Sequence, residues 1–306
     1  MLYLEQKKYH SIVRLGHRDS FGALHEGANI SIQEKIDGAC ASYSKVGEEV
    51  KAFSRNLELS AENTLGGFYE WVQDNIHHSD ILDNVVYFGE WTNPHRVKYE
   101  GLEKRFFLYD IYDLEKEEYL HSSVVKEEAE RIGLFLAPVF YEGEYISHEH
   151  IESFVGKTML DGSLNGETMG EGVVIKNFDY RSKYGKQVFV KDVSDKFSEI
   201  HQGKVKVKKE DSEEKIFAMK TVTKNRVDKI MRKLQDEGHL SDILDLSEMG
   251  MYLKTANPII LSDILSEESD MLSEDFDEKE LSRSVSKMTP KLIREFVTDS
   301  QKVKGD

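Results

Sequence analysis

The stretch Asn29-Ile30-Ser31-Ile32-Gln33-Glu34-Lys35-Ile36-Asp37-Gly38-Ala39-Cys40-Ala41-Ser42-Tyr43 decides the reading of this chain. Apolar and polar residues alternate up to Ile36, which predicts a strand, and Asp37-Gly38 predicts a turn into a second short strand. A lysine at the end of a strand, beside a turn, can point its amine into a pocket. Desolvation or neighbouring cations can there lower its pKa until the amine becomes a nucleophile. Lys-x-Asp-Gly on its own also describes an ordinary solvated hairpin lysine, so the rest of the chain has to decide.

Five later segments bear on it. Ser54-Arg55-Asn56 closes a strand that starts near Val50, and Asn84 to Trp91 is a buried strand carrying Gly89-Glu90. Arg105 to Tyr112 is a strand with Asp110 inside its apolar run, where an unpaired carboxylate would be costly. Glu171-Gly172-Val173-Val174-Ile175-Lys176 and Val188-Phe189-Val190-Lys191 complete the set. One charged residue ending a strand is a strand meeting solvent. Repeated in order, the pattern predicts strands converging on a charged cleft.

That order resembles the covalent nucleotidyltransferase superfamily of polynucleotide ligases and mRNA capping enzymes. Lys35 falls in what looks like motif I, Ser54-Arg55 in motif Ia, Gly89-Glu90 in motif III and Phe107 to Ile111 in motif IIIa. Glu171 to Lys176 resembles motif IV, and Lys191 falls in motif V. The resemblance covers roughly residues 30–200. It departs from the pattern at Phe189, where a second motif V lysine is common, with Lys186 a possible substitute. At Asp37 some members carry histidine.

Composition sets bounds. The chain has 306 residues, 39% hydrophobic and 10% aromatic, enough for one large domain or two with packed cores. No run approaches the ~20 apolar residues needed to span a bilayer, and Met1 to His10 shows no signal-peptide core. The single cysteine, Cys40, excludes an internal disulfide and a cysteine-rich zinc site. The net charge of −16 is unusual for a nucleic-acid enzyme, because phosphate binding rests on cations. The charge is uneven, however: Lys176 to Lys209 holds ten Lys or Arg against four Asp or Glu. A polarised surface is expected, unless the lysines of 204–209 form only a linker.

Periodicity predicts a helix over 62–76 and another from Ser122 or Ser123 through Arg131, with Val124, Val125, Ala129 and Ile132 inward and Gly133 ending it. Residues 156–170 read as a glycine-rich loop. From Ser212 the pattern is helical up to Gly238, and further helices are expected near 240–249, 258–266 and 290–299, the last capped by Thr289 with Pro290 in its first turn. The expected fold class is therefore α+β. A nucleotidyltransferase (ATP-grasp-like ligase) domain of antiparallel sheets and flanking helices, residues 1–209, precedes a small all-α domain, residues 210–306. DNA ligases and capping enzymes carry a β-barrel after motif V, whereas RNA ligases of the RNA ligase 2 type carry a helical domain. The resemblance thus narrows to the RNA ligase 2 family, the T-even phage nick-sealing type.

It implies an ATP-dependent RNA ligase acting through a lysyl-adenylate on Lys35. By the same resemblance, Glu171 with Glu90 holds Mg²⁺ or Mn²⁺, Glu90 also meets the ribose, and Tyr109 or Phe107 stacks on adenine. Lys176 and Lys191 hold the α-phosphate, and Arg55 binds a phosphate of the nucleotide or of the RNA end. Glu34 and Asp37 flank the nucleophile in the nucleotide site, Glu34 reading the adenine edge through its backbone. The implied partners are RNA ends in a nicked duplex. Lys220, Lys224, Arg226, Lys229, Arg232 and Lys233 are candidate phosphate contacts in the helical tail. A cytoplasmic monomer with no membrane partner is expected, in host cytoplasm if the source is viral. The alternatives are an ATP-dependent DNA ligase, a GTP-dependent capping enzyme, or a non-catalytic RNA-binding relative.

Overall fold

The computed structural model describes residues 6–93, 95–201 and 203–303, so the reading of Met1 to His10 lies partly outside the described residues. The strands are β1 (Val13–Arg14), β2 (Asn29–Lys35), β3 (Ala39–Val46), β4 (Glu49–Ser54), β5 (Val85–Trp91), β6 (Phe106–Asp113) and β7 (Glu118–Tyr119). They continue with β8 (Phe135–Leu136), β9 (Val139–Glu144), β10 (Ser163–Leu164), β11 (Glu167–Thr168), β12 (Gly172–Arg181) and β13 (Gln187–Val193). The helices are α1 (Phe68–Asn75), α2 (Ser122–Ile132), α3 (His148–Glu152), α4 (Glu213–Thr221), α5 (Lys224–Asp236), α6 (Met249–Glu268) and α7 (Glu278–Val303). The fold is α+β, with two main sheets and a helical C-terminal part.

The chain falls into two compact units, Met1–Ser194 and Asp195–Asp306. The division comes at the end of β13, where sheet pairing stops, earlier than the 209/210 boundary expected from the sequence. In the first unit one sheet runs β1-β13-β12-β2-β9, and the other runs β4-β3-β5-β6-β7 with β8 beside β6. Pairing is antiparallel except for the two short parallel matches, β1 with β13 and β6 with β8.

Strand alternation explains the layers. Ile30 and Ile32 of β2, Val173 and Ile175 of β12 and Val190 of β13 pack on one face of the first sheet with Ile151 of α3. Tyr43, Tyr87, Trp91, Phe106 and Leu108 lie on one face of the second sheet, covered by Phe68 and Val72 of α1 and by Val125 and Ala129 of α2. A third cluster joins both sheets through Phe88, Tyr112, Val174, Phe178 and Phe189. Each fully buried aromatic of this size contributes about 1.5–3 kcal/mol. Because both faces of β2 are covered, even its polar Ser31 and Gln33 are buried.

Several local expectations are corrected. The helix expected over 62–76 starts only at Phe68, because Leu65, Gly66 and Gly67 all take positive φ. His121, not Ser122 or Ser123, caps α2, accepting from the Ser123 amide, and Val124 faces solvent. Gly133 ends α2 at φ 73° as expected. The helix expected from Ser212 to Gly238 breaks at Val222–Thr223, where the Thr223 hydroxyl caps α5. Thr289 caps nothing: α7 runs through Pro290, and the buried Thr289 hydroxyl donates to Asn257 Oδ1 at 2.7 Å.

In the second unit every regular element among the described residues is helical. Tyr252, Ile260, Ile264, Val227, Met231 and Val297 form its core. Arg226 is fully buried. Its guanidinium meets Asp263, Glu199 at 3.3 Å and Glu268 at 3.1 Å. Lys229 reaches Glu199 at 2.8 Å and Asp263 at 3.2 Å, and Lys224 reaches Asp228 at 2.9 Å. Arg226 and Lys229 tie α5 to Glu199 and α6, whereas the half-exposed Lys224 pairs within α5 and, at 3.5 Å, with Asp299 of α7. Glu199, Asp263 and Glu267 lie close enough to share an ion, but Arg226 and Lys229 already neutralise them.

Candidate active site

Antiparallel register brings the motif lysines together. Lys35 at the end of β2 lies opposite Gly172 of β12, and Val174 of β12 lies opposite Lys191 of β13. Residues two apart share a face, so Lys35 and Lys191 flank β12 on the same side. Lys35 Nζ donates to Glu171 Oε2 at 2.7 Å, both side chains being largely buried. The Lys191 charge also reaches Glu171.

The turn after Lys35 is fixed from the second sheet. The Gly38 amide donates to Glu90 Oε1 at 3.1 Å, and Cys40 lies opposite Glu90 in the β3–β5 ladder. A Cβ at Gly38 would fall 2.6 Å from the Trp91 carbonyl oxygen, so a side chain there would push the turn off Glu90. Asp37 faces the loop after β5. Its Oδ2 accepts from the amides of Arg96 at 2.8 Å and Val97 at 2.7 Å, and its own amide donates to the Tyr99 hydroxyl at 2.9 Å. Asp37 therefore acts as a tether for residues 95–99, with His95 Nδ1 at 3.6 Å from Oδ1.

Burial and crowding shape the ionisations. Burial draws the Lys35 amine down, but the charges of Glu171, Glu90 and Asp37 outweigh it and hold the amine above its ordinary value. Of the two causes of a lowered amine expected from the sequence, desolvation is present, but the carboxylates around Lys35 outweigh it. Burial pushes the Glu90 carboxyl up to about 7, Lys35 and His95 opposing and Glu171 assisting. Burial also raises Glu171, against the Lys35 charge. Burial tends to raise Asp37, but the His95 and Val97 contacts take it below its usual value.

Of the two candidate aromatics, Tyr109 is half-buried beside Cys40, with its hydroxyl 3.2 Å from Cys40 Sγ, next to the Glu90 position. Phe107 is only 2% exposed, packed against Phe135, and offers no open face. Lys176 is 3% exposed, and its amine donates to Asp110 Oδ1 and to the Tyr109 carbonyl, both at 2.8 Å. It supports the strand that carries Tyr109 instead of presenting a charge to phosphate. The Glu34 carboxylate is buried too, accepting from the Thr158 hydroxyl and the Met159 amide, each at 2.7 Å. It holds the glycine-rich loop against β2, and its amide donates to the Pro138 carbonyl. Half-buried Arg55 follows β4, between two residues gripped from the N-terminus: Gln6 Nε2 donates to the Ser54 carbonyl and Lys8 Nζ to Asn56 Oδ1.

Lys35, Asp37, Glu90 and Glu171 thus interact in one place, with Lys191 on the same face and Tyr109 close by. The sequence reading missed Tyr99, His95, Thr158, Tyr9 and Gln6. All five lie in segments without strand or helix periodicity, and only tertiary contact reveals them.

The family model described as RNA ligase matches residues 28–193. The chain belongs to the RNA ligase family. Among solved structures, a point mutant of Naegleria gruberi RNA ligase with ATP and Mn is similar at TM-score 0.50 and 20% identity, covering 61% of this chain and 56% of that one. A second mutant of the same enzyme, also with ATP and Mn, gives TM-score 0.48 and 19% identity over 61% and 56%. This RNA ligase family member therefore spans just over half the length of those chains, and at such identity the likeness concerns the fold. No curated protein matches the chain at a significant level.

Proposed function

We propose that this family member is an ATP-dependent RNA ligase that joins a 3′-hydroxyl to a 5′-phosphate, sealing nicks in duplex RNA. The observation that carries this reading is the pair of Lys35, at the end of β2, with Glu171 at 2.7 Å, set beside Glu90 of β5. In the first step Lys35 Nζ attacks the α-phosphorus of ATP. The N–P bond forms, the bond from the α-phosphorus to the bridging oxygen breaks, and pyrophosphate leaves. The proton shed by the amine has Glu171 as its nearest acceptor. AMP then passes to the 5′-phosphate of an RNA end, and the 3′-hydroxyl displaces AMP to make the phosphodiester.

Such transfers depend on positioning and charge neutralisation. Tyr109 suits the base, Glu90 the ribose, and Lys191 and Arg55 the phosphates. The chemistry of Glu90 and Glu171, two crowded carboxylates of raised pKa, fits a divalent cation. Those two residues would hold Mg²⁺ or Mn²⁺, which would supply positive charge to the phosphates and relieve the carboxylate crowding. The ATP and Mn in the Naegleria gruberi RNA ligase structure support the same choice of cofactors. A helical second unit fits this reading better than a DNA ligase or capping enzyme with a β-barrel there.

The test is incubation with α-labelled ATP or GTP and Mg²⁺, followed by a denaturing gel. A label retained from ATP, not from GTP, and lost in Lys35→Ala is expected. Labelling of Lys35→Ala equal to wild type would overturn the assignment of the nucleophile. The same variant should still join RNA that already carries the 5′-adenylate.

A further inference from the structure

We infer that residues 6–10 form a strap belonging to the nucleotide site, with Tyr9 the positioning residue that sets Tyr109 for the purine base. This rests on the ligase reading above. Tyr9 is buried, and its hydroxyl donates to Asp110 Oδ2 at 2.5 Å. The other oxygen of Asp110 is taken by Lys176, whose amine also holds the Tyr109 carbonyl. Asp110 is therefore gripped from both sides, and the residue before it is Tyr109. The Tyr9 ring meets the Tyr109 ring edge-on, with centroids 5.0 Å apart. One side chain thus fixes both the backbone and the ring of the proposed base platform.

The strap is anchored along its length. Gln6 Nε2 lies 2.6 Å from the Ser54 carbonyl, and Lys8 Nζ lies 3.2 Å from Asn56 Oδ1. Lys7 Nζ lies 3.8 Å above the Tyr112 ring, and the His10 amide donates to the Tyr119 hydroxyl at 3.0 Å. The Gln6 and Lys8 anchors bracket Arg55, so the segment joins the Arg55 turn to the Tyr109 strand. A side chain that merely filled the core would need no hydroxyl. Tyr9 instead spends its hydroxyl on the one carboxylate that Lys176 already holds, and removing it leaves a buried acceptor without its donor.

The Tyr9 hydroxyl acts at a distance from the reacting atoms, so its loss should weaken nucleotide binding more than turnover. In Tyr9→Phe the ATP KM for self-adenylation should rise about tenfold while kcat stays within about twofold. ATP affinity measured by calorimetry in the Lys35→Ala protein should fall by the same factor. If the hydroxyl acts through Asp110, adding Tyr9→Phe to Asp110→Asn should change ATP affinity little, because coupled residues are not additive. Gln6→Ala, which frees the strap at Ser54 without touching the core, is the second variant should Tyr9→Phe fail to fold, and should weaken ATP about threefold. Unchanged ATP affinity in the folded variants, or a Tyr9→Phe effect equally large in the Asp110→Asn background, overturns the inference. If wild type binds ATP with this dependence on Tyr9 yet forms no adenylate, the ligase reading fails and the strap stands. If Lys35→Ala binds no ATP, both fail.

Discussion

Lys176 Nζ lies 2.8 Å from Asp110 Oδ1, with both side chains shut away from solvent. Burial pushes the aspartate carboxyl up and the lysine amine down, and each charge opposes the shift of the other. Removing one partner from such a pair strands a buried charge, at about 3–5 kcal/mol. Asp110→Ala should therefore lower Tm by roughly 10 °C. Asp110→Leu combined with Lys176→Met should regain much of that stability while adenylation stays low, since the Tyr109 carbonyl loses its donor. Thermal melts and adenylation rates on the three proteins check this, and an Asp110→Ala Tm equal to wild type would remove the argument.

Burial, the largest influence, draws the Lys35 amine down, and the Glu171 charge is the strongest of those that hold it above its ordinary pKa. A neutral amine is needed for attack, so adenylation should quicken as pH rises through the Lys35 pKa. Glu171→Gln removes one of the charges that raise that pKa. The rise should then begin at lower pH, while the rate falls by about 10²–10³ through lost positioning. Single-turnover adenylation from pH 6 to 10 follows the rising limb below the wild-type pKa and reads both the onset and the rate. A Glu171→Gln profile that superimposes on wild type would leave Glu171 without a role in this step.

Glu90 is held by burial at a pKa of about 7, against an unfolded value near 4.3. A folded pKa raised in this way contributes stability that is fully present below pH ~4, and that contribution is lost as pH climbs towards 7. Glu90→Gln cannot ionise and keeps an acceptor for the Gly38 amide. It should be more stable than wild type above pH 7, by about 1 kcal/mol or 2–4 °C given the partial exposure of the side chain. The gain should shrink as pH falls and vanish near pH ~4, and adenylation should fall at every pH. A Tm difference independent of pH would count against the ionisation argument.

What the sequence disclosed follows from where periodicity exists. Lys35, Glu90, Tyr109, Glu171 and Lys191 sit on or beside long strands, so alternation placed them at strand ends or within strands near one cleft. The strand register then carried Lys35 and Lys191 to one face. The direction of individual charges was not legible. Lys176 and Lys191 look alike in sequence, yet Lys176 shares the inter-sheet layer with Asp110. Glu34 and Asp37 look like ligand contacts, yet they tether loops. Basic helix residues read as an RNA surface until Arg226 and Lys229 proved to be enclosed by carboxylates distant in sequence. The strap at 6–10 has no repeating pattern, and its role exists only through contacts with residues 54 to 119.

The helical unit should matter to RNA-end engagement more than to adenylation. Every residue gathered around Lys35 belongs to Met1–Ser194, and that unit has three hydrophobic clusters of its own. The helical unit has a separate core and a buried ionic network that secures its own helices. It carries no further pattern of the nucleotidyltransferase kind, so its contribution is sought in binding. A chain truncated after Lys209 should form the lysyl-adenylate at a rate within a few-fold of the full chain, yet seal a nicked RNA duplex at least tenfold more slowly. Because Arg226, Lys224 and Lys229 are spent on carboxylates, Lys220→Ala should weaken sealing at low salt more than Lys224→Ala does. Gel-based sealing assays at two salt concentrations decide it. Equal sealing by the truncated and full-length chains would show that the helices serve another purpose.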